Sequence, residues 1–545
     1  MNDTTVLTAF DFRADLSRFP DSVFLFRECQ PRILVVTDNL SFESSNSFGL
    51  TQFIATLAGS TIHGMTPKII KASRGGTLAG ADIGNFKFDD ASHGVLKSRY
   101  DVVFLFGAAS ESGQPPGVGN QLPQSEIDAI ARFMQAGGGV FATGDHQSLG
   151  AAISRDIPRV RSMRFWRESD TPDVADEHRL STNMSGSNEV EDFYDQSDRT
   201  PQNLYPNFRT QAGNGTGAIG KPALAHPLLQ LPATATVAHP VIEVFPDHPH
   251  EGECRVPGSL ATTFTLDGGS VNEWPNAAAG GALAPEVVAI TVSHGTGFTS
   301  HNKSALTPRS FISICAYDGH RANVGRVATD STWHHFVNIN LDGTGEPGLT
   351  GLQNPGTPPT DTEALRRVRQ YYRNLATWLM PKTVRRCRLI PTLILELKKY
   401  PLYEELVIPI PNPPDPAPFV RIGEQVLASL TRRLSAWETE TVVRDALTFA
   451  VGEITADQIL DKGWQIGRLS AGDLASGALG AVTISALTTL NKVGNAEEIV
   501  AHKTFEPDAY RAANEVVKSL LTQQRQEILQ LDSLLGRAAE AQATT

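Results

Sequence analysis

The chain has little of what a secreted, membrane-spanning or nucleic-acid-binding protein needs. Its 545 residues include four cysteines, Cys29, Cys254, Cys315 and Cys387, widely spaced and without a C-x-x-C pair. That is no disulfide framework, and it fits a reducing compartment. Basic residues are outnumbered, 47 Lys and Arg against 59 Asp and Glu, for a net charge of −12. Binding nucleic-acid phosphates takes clustered Lys and Arg, so no nucleic-acid partner is expected. One local exception is Lys382–Lys399, where Arg385, Arg386, Arg388 and Lys398 gather; a solvated inter-domain segment is the plain expectation. The opening residues, MNDTTVLTAFDFRADLSRF, lack an apolar h-region, so no signal peptide is expected and the cytoplasm is the expected location. Long apolar runs are scarce as well. The best of them, Leu474–Leu490, is diluted by Gly, Ser and Thr, which favours a buried small-residue helix over a membrane span.

What is present is globular: 40% hydrophobic and 19% charged residues, in a chain long enough for two or three domains. From Pro31 onward, short apolar runs alternate with helical patterns. Ile33–Thr37 (ILVVT), Tyr100–Gly107 (YDVVFLFG) and Val140–Thr143 read as strands covered on both faces. Between them, Phe48, Phe53, Ile54 and Leu57 recur at helical spacing, and Pro123 opens a helix with Ile127, Ile130 and Met134 on one face. The alternation predicts an α/β doubly wound sheet with ligands at the carboxyl ends of its strands. Residues 154–284 are loop-rich and too long for a simple connection, so they are expected to build or cover a site. Strand patterns return at Val287–Val292, Phe311–Ala316 and Arg326–Thr329. Thr360–Glu363 reads as a capping box for a helix striped by Leu365, Val368, Tyr372, Leu375 and Leu379.

The chain thus divides into an α/β domain over residues 1–390, a Pro-rich linker over 391–418, and an all-α C-terminal domain over 419–545. The linker is expected to pack partly on the first domain through Leu393, Ile394, Leu395, Val407 and Ile408. The last helix carries Val517, Leu520, Ile528, Leu531 and Leu535 near heptad spacing. A homo-oligomer through these helices is expected, and packing within the chain's own bundle is the alternative.

Thirteen of the fourteen histidines lie at or before His335, which locates the chemistry in the first domain. Thr143-Gly144-Asp145-His146 stands where a strand ends, a turn that can hold a side chain above the sheet edge. It offers Asp145 and His146 as catalytic groups, unless Asp145 merely caps a following helix. Asp247, His248, His250 and Glu251 crowd into five positions. The first three are candidate ligands for a divalent transition metal (Zn, Fe or Mn), with Glu251 a candidate base; a structural loop stiffened by Pro246 and Pro249 is the alternative. Trp333-His334-His335 adds His334, since adjacent residues on a strand face opposite ways and one His at most would enter a site. His294, Asp318 and His320 are scattered and read as satisfied polar residues.

With GGGVFATGDH (Gly137–His146), His226-Pro227 and GRVATDSTWH (Gly325–His334) in hand, residues 32–335 resemble the trehalose-utilisation (ThuA-like) branch of the class I glutamine amidotransferase-like superfamily. The early His departs from the family spacing, falling at His146 where the family's would stand near Gly144. The resemblance implies a flavodoxin-like fold carrying long insertions and a site formed by these clusters. It implies no glutaminase activity, because the turn carries no Cys. The expected function is a metal-assisted hydrolase or lyase on a small polar substrate, a carbohydrate or an amide. The rival reading is a non-catalytic ligand-sensing or scaffold protein assembled through its C-terminal helices.

Overall fold

The computed structural model describes residues 30–62, 65–110, 122–146, 148–167, 170, 201–210, 223–246, 252–278, 280–293, 309–345, 348, 350–386, 393, 415–452, 456, 459–460, 465–466, 469–493, 511–526, 529–530 and 533. The apolar runs fold as expected: β1 (Arg32–Thr37), α1 (Thr51–Ala58), β2 (Lys68–Ser73), β3 (Val102–Phe106), α2 (Gln124–Gln135) and β4 (Gly139–Thr143) succeed one another in order. After the short helix α3 (Ala151–Ser154) come β5 (Gln202–Pro206), β6 (Val244–Phe245), β7 (Glu286–Ser293), β8 (Arg309–Tyr317), β9 (Val327–Asp330) and the short helix α4 (Asn338–Asp342). All nine strands share one sheet, in the order β2-β1-β3-β4-β9-β8-β7-β5-β6.

The sheet has two halves of different construction. Strands β2, β1, β3, β4 and β9 run parallel, whereas β8, β7, β5 and β6 pair antiparallel. Connection length accounts for the change: a parallel neighbour needs a crossover of a dozen or more residues, and β8 reaches β9 through a short turn instead. The α/β class is as expected, but the sheet is mixed, and only this parallel half has the strand direction that the alternation predicts. Part of the loop-rich stretch, expected to build or cover a site, supplies β5 and β6 to the sheet edge.

Strand alternation gives each face of the sheet its own core. On one face Ile33, Val35, Phe104, Phe106 and Phe141 pack against Phe53 and Leu57 of α1 and the stripe of α5 (Glu363–Leu379). On the other, Leu34, Val36, Val103, Leu105 and Val140 meet Ile130, Phe133 and Met134 of α2. All five expected stripe residues of α5 are buried, each worth roughly 1.5–3 kcal/mol of apolar burial. Its cap differs from the expected box: Thr360 lies in a short ladder with Asn354, and Thr362 accepts the N–H of Leu365.

The C-terminal helices form a separate core. Helices α6 (Ala417–Thr431), α7 (Ala436–Val451) and α8 (Ala471–Val493) pack with residues 511–526 of the last helix. Helix α6 starts at Ala417, just inside the stretch expected to be linker, and Leu393 packs in this helical core rather than on the α/β part. Ile394, Leu395, Val407 and Ile408 lie outside the described residues. Val517 and Leu520 of the last stripe face the same core, while Ile528, Leu531 and Leu535 lie outside the described residues. Arg385, expected on a solvated segment, forms a paired ion contact with the buried Asp445 of α7 (2.9 Å). No helix among the described residues is long and apolar enough to cross a membrane.

Small residues in α8 set how closely α6 approaches. A Cβ on Gly480 would overlap the Phe419 carbonyl oxygen, and one on Gly423 would overlap that of Ser476. Neither backbone can retreat without opening the core. Gly480→Val is expected to cost roughly 3 kcal/mol, the upper range for overpacking. Urea unfolding followed by far-ultraviolet circular dichroism checks this, and an unchanged midpoint would contradict so close a helix contact.

Candidate active site at the carboxyl edge of the sheet

The parallel register brings Ser73, Thr37, Phe106, Thr143 and Asp330 onto one rung at the carboxyl ends of five strands. The segments leaving these strand ends form the site. After Thr143 the chain turns through Gly144, Asp145 and His146, and α3 begins only at Ala151, so this is not a sharp strand-to-helix elbow. Asp145 does not cap α3. Its carboxylate is fully buried: Oδ1 accepts the Thr332 hydroxyl at 2.8 Å, and Oδ2 faces His146 Nδ1 at 2.8 Å and His334 Nε2 at 3.7 Å.

The other two partners of Asp145, Thr332 and His334, come from beyond β9. Residues Trp333–His335 form a 3-10 turn, capped by Thr332, which accepts the His334 N–H at 3.0 Å. The strand argument that admits one His therefore does not apply, and both are buried with separate partners. His334 Nδ1 meets Asn340 Oδ1 at 3.0 Å, and the ring stacks on Trp333 (4.3 Å). His335 Nδ1 meets Asp330 Oδ1 at 2.7 Å, and Asp330 Oδ2 accepts the Tyr371 hydroxyl at 2.7 Å. Burial holds the Tyr371 pKa well above its usual range, so the hydroxyl stays a donor.

One cation fixes the two strand ends relative to each other. Arg164 is wholly buried, and its guanidinium donates to the Asp145 carbonyl (2.7 Å), the Ser331 carbonyl (2.7 and 3.1 Å) and the Phe165 carbonyl (2.8 Å). Burial pulls its pKa down to about 10, still charged at neutral pH. Trp333 N–H adds a bond to the Gly144 carbonyl at 2.8 Å.

A further acid stands two strands away. Asp38 comes directly after β1, is 2% exposed, and accepts N–H bonds from Ala108 (2.6 Å) and Ala109 (3.0 Å) through Oδ1. Its Oδ2 is buried without a hydrogen-bond partner among the described residues. Burial, only partly offset by those amides and by Arg74, pushes its pKa up to about 6.

Of the residues singled out from sequence, Asp145, His146 and His334 are thus brought together. Asp247, His248, His250 and Glu251 lie outside the described residues. Their described flanks reach the site: the Phe245 ring packs 4.3 Å from that of His335, and Gly252 (φ +148°) lies against the Ser331 carbonyl and Arg164, where a Cβ would overlap both. Asp318 and His320 stand at the opposite edge, because β8 runs antiparallel and ends beside the start of β9 (Tyr317 opposite Val327). His226 lies away from the site too, capping the turn Pro227–Leu229 and facing Glu286 at 3.4 Å. His294 lies outside the described residues. Cys254 and Cys315 are free, buried thiols, and burial pushes the Cys315 pKa well up, which removes thiolate character.

Sequence reasoning missed Asp38, Arg164, Thr332 and Asn340, and gave Asp330 and His335 no role. Asp38 and Asp330 had a usable signal, a carboxylate at a strand's carboxyl end. Arg164 had none, because its partners are backbone carbonyls distant in sequence. Among the described residues, no group of three or more His, Cys, Asp or Glu is disposed to hold a metal ion.

Asp38 yields a pH prediction. Its folded pKa lies above the ordinary value of 3.8, so the folded chain binds the extra proton and stability falls as pH rises from about 4 to 6. The ionised form then costs roughly 3 kcal/mol. Asp38→Asn is expected to stabilise by about 1–3 kcal/mol at pH 8 and by almost nothing at pH 4, as read from denaturant midpoints at the two pH values. Equal effects at both would refute a buried titrating carboxyl. No family model matches this chain and no curated protein matches it, so what the chain does has to be read from the site.

Proposed function

We propose that the carboxyl-edge site belongs to a hydrolase, or a related lyase, acting on a small polar substrate of the carbohydrate or amide class. The observation that carries this is the pairing of a fully buried Asp145 with a His146 whose side chain is 28% exposed. A carboxylate on Nδ1 fixes the ring's tautomer and stabilises the imidazolium, so His146 Nε2 is the group we assign to take a proton from water. His334, 3.7 Å from the same Asp145 oxygen and oriented by Asn340, is assigned to give its own proton to the leaving group, after which His146 releases a proton to solvent and His334 takes one up. Thr143 is wholly buried and is not the nucleophile.

The metal belongs to the proposal through Asp247, His248 and His250, with Glu251 as the base expected from sequence. Among the described residues both Asp145 oxygens are engaged, so these residues alone do not make a metal site. A bound divalent Zn, Fe or Mn ion would supply polarisation of a substrate oxygen and a more acidic water. The order β2-β1-β3-β4-β9 of the parallel half supports reading the core as flavodoxin-like, and with it the likeness to ThuA-like proteins. Glutamine is not the proposed substrate, since the turn at Asp145 has no Cys. We also take the chain to be cytoplasmic, with self-association sought at Leu521 and Leu529, which are exposed on the last helix.

Two outcomes are expected. In a panel of glycosides and amides, Asp145→Asn should lower kcat by about 100-fold or more with KM little changed, the usual scale for a lost acid–base pair. Equal turnover in the variant removes the assignment, and a protein that binds but turns over nothing leaves the ligand-sensing reading. Elemental analysis should find a transition metal in the wild type and none in His248→Ala with His250→Ala. A metal-free wild type after reconstitution would remove the metal while leaving the His146 assignment intact.

A further inference from the structure

At the opposite edge of the sheet, a second cluster of buried polar groups has no part in the site above. Arg159 is a wholly buried non-glycine residue with φ +68°, a strained conformation held at the entrance to the turn Val160–Ser162. Its backbone N–H donates to Glu273 Oε1, its Nε to the Glu273 carbonyl (2.9 Å), and its Nη2 to Gln135 Oε1 (3.4 Å). The Glu273 carboxylate is taken by Arg161, at 2.7 Å from Nη2 and 3.2 Å from Nε. Two guanidinium groups therefore share one carboxylate, and the buried one makes no hydrogen bond to it.

Three buried donors on neighbouring side chains have no hydrogen-bond partner among the described residues: Arg159 Nη1, Tyr317 Oη and Trp274 Nε1. The guanidinium carbon of Arg159 is 5.9 Å from the centre of the Tyr317 ring, and Trp274 meets that ring edge-on at 5.0 Å. Burial pushes the Tyr317 pKa up to about 12, which keeps its hydroxyl a donor. The nearby acids are engaged elsewhere: Asp156 pairs with Arg155 at 3.3 Å, and Asp318 with Arg326 at 2.6 Å.

We propose that Arg159, Trp274 and Tyr317 form a binding site for a small monovalent anion of halide size. The buried Arg159 guanidinium, bonded to a carbonyl and an amide but to no carboxylate among the described residues, calls for one negative charge, and N–H and O–H donors without an acceptor call for a ligand that only accepts. Size is set by burial: none of the three side chains is more than 2% exposed, which leaves no open mouth for a larger ligand. The turn after Arg159 leads directly to Arg164, so the ion would brace the segment that carries the clamp of the carboxyl-edge site.

The test uses the full chain. Crystals soaked in sodium bromide are expected to show an anomalous bromine peak within hydrogen-bond distance of Arg159 Nη1. Thermal unfolding is expected at higher temperature in bromide or chloride than in gluconate at equal ionic strength. Tyr317→Phe keeps the ring and removes one donor, and it should raise the bromide concentration for half-effect by about tenfold. Trp274→Phe should do the same should the first variant fail to fold. No bromine peak at this position, or a halide effect unchanged in a folded variant, overturns the proposal.

Discussion

The arrangement at the carboxyl edge depends on one buried guanidinium. Arg164 joins the chain leaving β4 to the chain leaving β9 by donating to the carbonyls of Asp145 and Ser331. An ionised group taken from water costs several kcal/mol even after relaxation. Here that cost is offset by hydrogen bonds to three carbonyl groups and by the face of Trp166, 4.8 Å from the guanidinium carbon. Because the carbonyls belong to residues whose side chains or near neighbours form the site, the clamp sets the distance between Asp145 and His334. A lysine could not replace it, since a point charge lacks the planar fork that reaches several carbonyls at once.

The three aspartates at this edge are stabilised in three different ways. Asp330 lies between a tyrosine hydroxyl and a histidine ring, Asp145 between a threonine hydroxyl and two histidines, and Asp38 has only backbone amides on one oxygen. Side-chain donors that move with their own elements tie Asp330 to α5 and Asp145 to the turn after β9. Asp38 has no such partner among the described residues, and burial dominates its titration. A common position at strand ends thus gives groups of different chemical character, according to what the neighbouring strands bring.

The two halves of the sheet divide the work. The parallel half gathers strand ends, and so side chains from distant parts of the sequence, at one edge. The antiparallel half turns Asp318 and His320 to the other edge, where Arg326 meets Asp318 and stacks on Trp378 (4.7 Å) and Trp437 (5.4 Å). Through Trp437 of α7, whose N–H donates to Gln230 Oε1 at 2.8 Å, the helical region is seated against the α/β part away from the site.

Much was legible in the sequence because it is local. Apolar runs such as Ile33–Thr37 require strands covered on both faces, the stripe from Leu365 to Leu379 requires a helix with one buried side, and a segment as rich in small residues as Leu474–Leu490 requires close helix neighbours. The placement of Asp145 and His146 just past a strand end came from the same periodicity. Tertiary structure alone decided the rest. Whether β8 and β9 run parallel or antiparallel depends on which strands are hydrogen-bonded, and this sends His334 to the site and His320 away from it. The 3-10 turn that buries both His334 and His335 is held by Thr332 and by bonds to residues far along the chain. Arg164 acquires its role only when Asp145 and Ser331 are brought beside it, because its partners are backbone carbonyls, which every residue has and no sequence pattern marks.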